Sequence, residues 1–190
     1  MKNVLILHGS SNNSEGNWIP WMKKNLEEKG WKVWTPNLPN SEYPDMEEWV
    51  NFIFSNKKWK FNKESIIIGH SSGATLVLGL LQKLPSDIKV NMAILVAGFV
   101  QFSGLPEVDE VIKGQLKEPF NWKKIKKASK DFFFIHSDND QYRCGVEQGK
   151  IMQKNLGGKL IIKKGEGHFN LTTNKKYKTF PFLLRLLNKF

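Results

Sequence analysis

The sequence predicts an α/β fold with a mainly parallel sheet, and three observations support this prediction. Short, continuously apolar runs recur along the chain, as is typical of strands buried on both faces of a parallel sheet. Segments with apolar residues at helical spacing separate these runs. The length of 190 residues suits one well-filled core, and no repeat, low-complexity tract or linker divides it. We therefore expect a single domain over residues 1–190.

Six apolar runs are predicted to be strands. They are Asn3–Leu7, Trp31–Thr35, Ser65–Ile68, Asn91–Val96, Phe132–Ile135 and Leu160–Ile162. The first follows a lysine, as the apolar region of a signal peptide would. However, that run is short and a glycine-serine turn follows it instead of a small-residue cleavage site. We interpret it as the first strand.

Five intervening segments are predicted to be helices: Asn17–Lys29, Asp45–Phe54, Ala74–Leu84, Gly145–Leu156 and Lys175–Asn188. The first of these stops at Gly30, and Asp45 is a candidate N-cap of the second. Proline lacks an N–H and fits only the first turn of a helix. Pro181 therefore either lies in the first turn of the last helix or breaks it.

The composition is that of a globular protein and excludes several classes of function. Hydrophobic residues make up 40% of the chain, yet no apolar run approaches the roughly 20 residues that span a bilayer. The formal net charge is +11, but the lysines are scattered, Arg143 and Arg185 are the only arginines, and no nucleic-acid-binding motif is present. Lysine-rich solvated faces are therefore expected, with no nucleic-acid or membrane partner. Cys144, the single cysteine, cannot form an internal disulfide, which fits a cytoplasmic location.

The segment Gly69-His70-Ser71-Ser72-Gly73 joins a predicted strand to a predicted helix. Gly-x-Ser-x-Gly in this context is typical of a nucleophile elbow, a tight turn that exposes the serine hydroxyl above the sheet. Glycines two residues before and after the serine leave room for neighbouring backbone. The alternatives are an ordinary Gly/Ser-rich turn or a phosphate cradle, but a phosphate-binding loop would contain a lysine. Ser72 is the alternative nucleophile, but in an elbow the residue after the nucleophile supplies a backbone N–H donor instead.

A serine nucleophile needs a general base and an acid that orients the base, here in the chain order Ser, acid, His. Asp138 and Asp140 follow the predicted strand Phe132–Ile135, and His168 follows the last predicted strand. The carboxyl ends of parallel strands meet at one edge of a sheet, so these groups are expected to lie close to Ser71. Glu166 is an alternative acid only if its loop folds back.

The chain resembles the small serine hydrolases of the α/β-hydrolase fold that include the retinoblastoma-binding hydrolase and the YdeN-like proteins. The resemblance covers nearly the whole chain and rests on five stretches: HGSSNNSEGNWIPW at the start, PNLPN at 36–40, GHSSGA at 69–74, the D-x-D of the acid loop and GEGHFN at 165–170. It implies a three-layer α/β/α domain without a large lid and chemistry similar to that of carboxylesterases.

The resemblance also implies residue roles: Ser71 as nucleophile, His168 as base and Asp140 as acid. The family often has Asp-Pro where this chain has Asp140-Gln141, so Asp138 remains an alternative. A second departure is Asn121, since an aspartate is usual before the tryptophan of PFNW. The L-x-C-x-E motif of retinoblastoma-protein binding is absent, and that partner is not expected here.

These residues predict cleavage of small carboxylic esters through an acyl-enzyme, without a cofactor or metal. The expected oxyanion donors are the backbone N–H groups of Ser72 and of Ser10 or Ser11. Thioesters or amides would use the same residues, and the protein is expected to be a monomer or small homo-oligomer. The alternative is a degenerate hydrolase fold that acts as a protein-binding module through its basic surface.

The substrate pocket is less well defined by the sequence. A chain this short leaves little for a lid, so a shallow, open site is expected. The candidates to line an acyl pocket are aromatic and apolar residues, each of which could equally pack in the core: Trp18, Phe99, Phe102, Leu105, Trp122 and Phe169. His8, His70 and His136 each follow a strand as His168 does, but their spacing matches no metal-binding pattern. Cys144 is expected to be a packed thiol.

Overall fold

The computed structural model describes residues 2–189, which contain one six-stranded sheet with every neighbouring pair of strands parallel. The strand order is β2-β1-β3-β4-β5-β6. The strands are β1 (Asn3–Leu7), β2 (Lys32–Trp34), β3 (Ser65–His70), β4 (Val90–Val96), β5 (Ser129–Ser137) and β6 (Lys159–Lys163). The connection from β1 leads to β2 on one side, and the connection from β3 leads to β4 on the other side, so a topological switch point lies between β1 and β3. Open α/β sheets bind ligands at such a point.

The helices flank both faces of the sheet. They are α1 (Ile19–Glu27), α2 (Met46–Ser55), α3 (Ser72–Lys83), α4 (Pro106–Ile112), α5 (Trp122–Ala128), α6 (Val146–Leu156) and α7 (Pro181–Leu187). Short 3-10 turns occupy Lys113–Gln115 and Lys175–Lys178. The predicted fold class is confirmed, and all six predicted strands are present: β1 has the predicted bounds, and the end points of the other five differ by at most three residues.

Three helical segments differ from the prediction. The predicted helix Lys175–Asn188 is broken, because Pro181 cannot donate a helical hydrogen bond and instead opens α7. Helices α4 and α5 were not predicted. Each has seven residues, and α4 opens with a proline, which suits the first turn of a helix.

Alternation of side chains along the strands creates two apolar cores. On β1, Val4 and Ile6 face one core, together with buried residues of α1 and α7. Leu5 and Leu7 face the other core, which α2, α3, α5 and α6 cover. The sheet is therefore the middle of three layers, and its central strand β3 is buried along its full length.

Local capping explains two features of the sequence. The Asp45 side chain caps α2 as predicted, because its Oδ1 accepts the backbone N–H groups of Glu47 and Glu48 at 3.0 Å. Asn121 caps α5 by accepting the N–H of Lys124 at 3.0 Å. Asparagine and aspartate are about equally good N-caps, so Asn121 can replace the aspartate usual in the family without loss of the cap. Within residues 2–189, no helix is long and apolar enough to cross a membrane.

Candidate active site

Ser71 lies in a strained turn between β3 and α3. Its backbone has φ 56° and ψ −125°, outside the regions that non-glycine residues favour, and its N–H donates to the Val96 carbonyl at 2.9 Å. A Cβ added to Gly69 would lie 2.3 Å from the Gly73 carbonyl oxygen. A Cβ added to Gly73 would lie 2.4 Å from the Leu7 carbonyl oxygen. Only glycine fits at both positions, which is the close backbone approach that an elbow requires.

A cavity of about 350 Å³ opens beside this turn, at the carboxyl ends of the strands. Ser71 and His168 both line it, as do Gly9 and Ser10 from the loop after β1. Leu7 pairs with Gly69 in the sheet register, and this pairing places the loop after β1 next to the elbow. The cavity therefore occupies the switch point between β1 and β3.

His168 is anchored on Asp140. Its Nδ1 lies 2.7 Å from Asp140 Oδ2, and the side chains are 5% and 0% exposed, respectively. A carboxylate accepts only, so Nδ1 carries the hydrogen and Nε2 of the neutral ring is left with a free lone pair. The second carboxylate oxygen, Oδ1, accepts the N–H of Tyr142 at 2.9 Å. Asp140 thus fixes both the tautomer and the orientation of the imidazole.

The neighbours of Asp140 hold the His168 loop in place. Three consecutive side chains each accept one backbone N–H from that loop: Ser137 from Glu166 at 3.0 Å, Asp138 from Gly165 at 2.8 Å and Asn139 from Gly167 at 2.8 Å. Asp138 is exposed and bonds to backbone, while Asp140 bonds to the imidazole.

Glu166, the other alternative acid, points away from the imidazole. Its carboxylate accepts the Tyr177 hydroxyl at 2.8 Å and pairs with Lys176. Although partial burial favours the neutral acid, the bonds from Lys176 and Tyr177 lower the pKa of Glu166. The Glu166 carboxylate therefore joins its own loop to the following 3-10 turn.

The other three histidines bind backbone atoms and stay neutral. His70 Nε2 donates to the His168 carbonyl at 2.7 Å, and His136 Nδ1 donates to the Cys144 carbonyl at 2.8 Å. His8 Nδ1 donates to the Gly9 carbonyl, and its Nε2 accepts the N–H of Leu38. Burial lowers the pKa of His70 to about 3, with a further contribution from His168, and lowers that of His136 to about 4. These rings hold the loops around the cavity.

Because these histidines are buried and neutral, we expect the free energy of unfolding to fall in mild acid. In the unfolded chain each binds a proton below its ordinary pKa of 6.5, whereas folded His136 resists protonation down to about pH 4. The unfolded state then binds more protons, so the free energy of unfolding falls as the pH drops from 6.5 toward 4. Each such histidine contributes a slope that starts near half of 1.4 kcal/mol per pH unit at pH 6.5 and approaches about 1.4 kcal/mol per pH unit between the two pKa values. Urea unfolding at pH 6.5, 5.5 and 4.5 measures this slope.

The control for this prediction is His136→Asn. Asparagine Nδ2 can replace the Nδ1 donor toward Cys144 but cannot titrate. The variant's average slope between pH 6.5 and 4.5 should be smaller than that of the wild type by about 1 kcal/mol per pH unit, whatever stability the smaller side chain loses at neutral pH. Equal slopes in the two proteins would contradict the assignment of a neutral, buried His136.

The two segments predicted to supply the oxyanion donors, around Ser10 and Ser72, are joined by a side-chain hydrogen bond. Ser10 Oγ and Ser72 Oγ share a hydrogen bond of 2.5 Å, and the Ser72 side chain is fully buried. The N–H of Ser11 donates to the Ser41 carbonyl at 2.8 Å and is therefore occupied. Within residues 2–189, no acceptor is bound to the N–H of Ser10 or of Ser72. Of the two alternatives, Ser10 is the one whose N–H is available.

Most of the residues predicted to line an acyl pocket do not reach the cavity. Phe99 lines it, but Trp18 and Phe169 are fully buried in the core next to α1, where Trp18 Nε1 donates to the Phe169 carbonyl at 3.2 Å. Trp122 opens α5 and packs against Phe120 on the opposite face of the sheet. We therefore revise the substrate-binding set. Aromatic residues close to a catalytic motif in sequence are also needed to fill the core.

The cavity walls include residues that the sequence did not single out. Helix α4 contributes Glu107, Val108, Val111 and Ile112, and Tyr142 packs its ring edge-on against His168 with centroids 4.7 Å apart. A signal for α4 is present in PEVDEVI, where a proline opens the segment, two of its three acids lie in the first turn, and two valines and an isoleucine recur at helical spacing. Nothing in the sequence marks Tyr142 as a wall residue, apart from its position two residues after Asp140.

One group of side chains has metal-like spacing. Ligand atoms of Asp140, Cys144 and His168 all lie within 4.8 Å of one another. The carboxylate and the imidazole are hydrogen-bonded to each other, and burial raises the pKa of the Cys144 thiol well above its ordinary value. Thiolates, not thiols, bind metals, so this donor set fits a hydrogen-bonded pair beside a packed thiol better than it fits a metal site.

The strand order, the switch-point cavity and the strained serine between strand and helix define the α/β-hydrolase class. Solved structures of similar fold agree. The crystal structure of the ydeN gene product from Bacillus subtilis matches with a TM-score of 0.89 and 25% identity, over 100% of this chain and 98% of that one. The esterase EaEST from Exiguobacterium antarcticum matches in fold, with a TM-score of 0.71 and 18% identity over 100% of this chain and 91% of that one.

The sequence comparison gives the family. The pattern described as "Serine hydrolase" matches residues 4–189, and the chain belongs to this family. The protein YdeN of Bacillus subtilis (strain 168) is 30% identical over 190 residues, which is 100% of this chain and 96% of YdeN. The serine hydrolase RBBP9 of Rattus norvegicus is 28% identical over 156 residues, 82% of this chain and 79% of its own. The resemblance stated from the motifs is thus confirmed.

Proposed function

We propose that this serine hydrolase cleaves small carboxylic esters, with Ser71 as nucleophile, His168 as general base and Asp140 as the acid that orients it. The observation that carries the proposal is the placement of a strained serine and an imidazole anchored by a carboxylate on the wall of one cavity. A strained backbone at a serine is costly and persists where it has a use. The chain's membership of the serine hydrolase family points to the same chemistry.

The proposed reaction has two halves. His168 Nε2 takes the proton of Ser71 Oγ as that oxygen attacks the ester carbonyl, and the imidazolium then protonates the departing alcohol. An acyl group is left on Ser71. Water attacks this acyl-enzyme with His168 again as base, and the carboxylic acid leaves as Ser71 regains its proton. Asp140 stabilises the imidazolium that forms in each half.

The tetrahedral intermediates need donors for their negative oxygen. The N–H of Ser72 and the N–H of Ser10 are the proposed pair, and the bond between their side chains ties the two loops together. Ser11 is not proposed because its N–H already bonds to Ser41. Losing one such donor typically costs about 10² to 10³ in rate.

The size of the cavity favours small esters. Its volume of about 350 Å³ lies near the lower end of the range for ligand pockets, which begins at roughly 300 Å³. Val108, Val111, Ile112 and Phe99 supply an apolar surface for an acyl or alcohol group.

Labelling with a fluorophosphonate tests the proposal. The intact mass of the wild-type protein should rise by one adduct, Ser71→Ala should gain none, and His168→Ala should react far more slowly because its serine lacks a base. Ser55→Ala, at an exposed serine in the last turn of α2, is the matched control and should label like the wild type. No adduct on folded wild-type protein would overturn the proposal and favour a fold that only binds partners.

A further inference from the structure

The walls of the cavity carry a negative charge in a strongly basic protein. The chain has 29 lysines and arginines, yet neither residue type is among the described residues that line the cavity. Apart from His168, the lining side chains from the loops after β1 and β6 are uncharged, as in Asn12, Asn17 and Asn170. The charged wall residue is Glu107, in the first turn of α4. The charge on the cavity wall is thus opposite in sign to the net charge of the protein.

Glu107 differs from the other two acids of α4. The Asp109 carboxylate accepts the Ser103 hydroxyl at 2.8 Å and the Gly104 N–H at 2.9 Å, and Glu110 pairs with Lys113 at 2.5 Å. Neither of these acids lines the cavity. Glu107 has no hydrogen-bond or ion-pair partner within residues 2–189. Of the three, the acid on the cavity wall is the one left free to pair with a ligand.

Positive groups close to the cavity are neutral, balanced by a carboxylate or outside the residues that line it. The pKa of His70 is about 3, so its buried ring is uncharged at neutral pH, and any charge on His168 is balanced by Asp140. The charge of Arg143 acts on Asp109: although desolvation opposes the effect, the hydrogen bonds from Ser103 and Gly104 and then the Arg143 charge lower the pKa of Asp109. Salt screens distant lysines beyond about 8 Å at physiological ionic strength.

Two ring systems add to this preference. Phe99 and Tyr142 line the same cavity as Glu107, and aromatic faces attract cations through their quadrupoles. A ligand cation against α4 would meet a carboxylate and apolar or aromatic surface. A ligand anion in the same place would meet an unpaired like charge.

We propose that Glu107 makes the cavity selective for esters that carry a positively charged ammonium group, over neutral esters of the same shape. This inference rests on the proposed ester hydrolysis and names the substrate class of the same site. Because Glu107 is exposed, its charge is partly screened, and the expected preference is about three- to tenfold.

A pair of isosteric esters tests the selectivity. Acetylcholine and 3,3-dimethylbutyl acetate differ by one charged nitrogen in place of a carbon, and the ratio of their kcat/KM values is measured in each protein. Comparison of ratios between proteins cancels the intrinsic reactivity of the two esters. In Glu107→Gln the ratio should fall about three- to tenfold, and raising NaCl from 50 to 500 mM should reduce the ratio in the wild type but not in the variant.

Glu110→Gln is the matched control. It removes the same charge from the same helix, but Glu110 is paired with Lys113 and lies outside the cavity. Its ratio should equal that of the wild type. An unchanged ratio in Glu107→Gln, or an equal fall in both variants, would overturn the proposal, since the first denies any effect of the carboxylate and the second assigns it to net charge.

A binding measurement separates this inference from the proposed function. In Ser71→Ala, choline should bind about three to ten times more tightly than 3,3-dimethyl-1-butanol by NMR titration, and the added Glu107→Gln substitution should abolish the difference. If wild-type protein turned over neither ester but this binding difference appeared, ester hydrolysis would be rejected and the charge selection retained. Equal binding of the two alcohols would reject the charge selection.

Discussion

Replacing Asp140 with asparagine is expected to lower kcat/KM for an ester such as 4-nitrophenyl acetate by about 10⁴-fold. The Asp140 carboxylate accepts the hydrogen on His168 Nδ1 at 2.7 Å. An asparagine amide can instead donate to Nδ1, which stabilises the tautomer with the hydrogen on Nε2. That tautomer has no lone pair to take the proton of Ser71. Steady-state kinetics on the folded variant, with folding checked by circular dichroism, measure the loss.

Asp138→Asn is the control that the chain itself offers. Asp138 Oδ1 accepts the N–H of Gly165 at 2.8 Å, and the Oδ1 of asparagine can accept the same bond. We expect a change in kcat/KM of less than about fivefold, since the loop that carries His168 keeps its other two bonds, to Ser137 and Asn139. A large loss in Asp138→Asn with a small one in Asp140→Asn would reverse the assignment of the acid.

The ambiguity between these two aspartates shows where sequence reasoning ends. Both follow β5 at the same edge of the sheet, and D-x-D places both within reach of a base in the next loop. Which one turns inward depends on the path of the loop after Ser137, set by hydrogen bonds to residues some 30 positions further along the chain. A short stretch of sequence does not contain that information, although the family resemblance favoured Asp140.

The sequence predicts the fold better than it predicts the site, because the strands and helices depend on local patterns. The run Ser65–Ile68 contains three consecutive isoleucines and is followed by a glycine, and the structure buries it on both faces as the pattern predicted. The short helices α4 and α5 were missed because seven residues give only two turns of periodicity. That omission hid the cavity wall, including Glu107 and Val108, from the sequence analysis.

The prediction of the acyl-pocket residues was wrong for a different reason. Trp18 and Phe169 are large and lie near recognisable motifs, but the core beside α1 needs their volume, and their rings pack there around Phe180. Trp122 is carried to the other face of the sheet by α5. Hydrophobicity predicts that a side chain leaves water; it does not predict whether the chain enters the core or lines a cavity.

Gly73→Ala is expected to destabilise the protein by about 3 kcal/mol, at the upper end of the usual cost of overpacking, and to slow fluorophosphonate labelling of Ser71. The added Cβ would lie 2.4 Å from the carbonyl oxygens of both Leu7 and His8. These are backbone atoms at the end of a buried strand, so relief requires moving the loop after β1 away from α3. That movement would also carry the N–H of Ser10 away from the elbow. Urea unfolding measures the first effect and timed mass spectrometry the second.

Gly30→Ala separates overpacking from the general cost of replacing a glycine. Gly30 has φ 75°, which costs alanine roughly 1 kcal/mol, but a Cβ there would have no neighbour within 4 Å. This variant should lose about 1 kcal/mol and label at the wild-type rate, because the turn after α1 lies outside the cavity. If Gly73→Ala were no more destabilised than Gly30→Ala and labelled normally, the contact between the elbow and β1 could not be what holds Ser71 in its strained conformation. If Gly73→Ala stayed folded but stopped labelling, the position of the β1 loop, and with it the Ser10 donor, would be tied to the reactivity of Ser71.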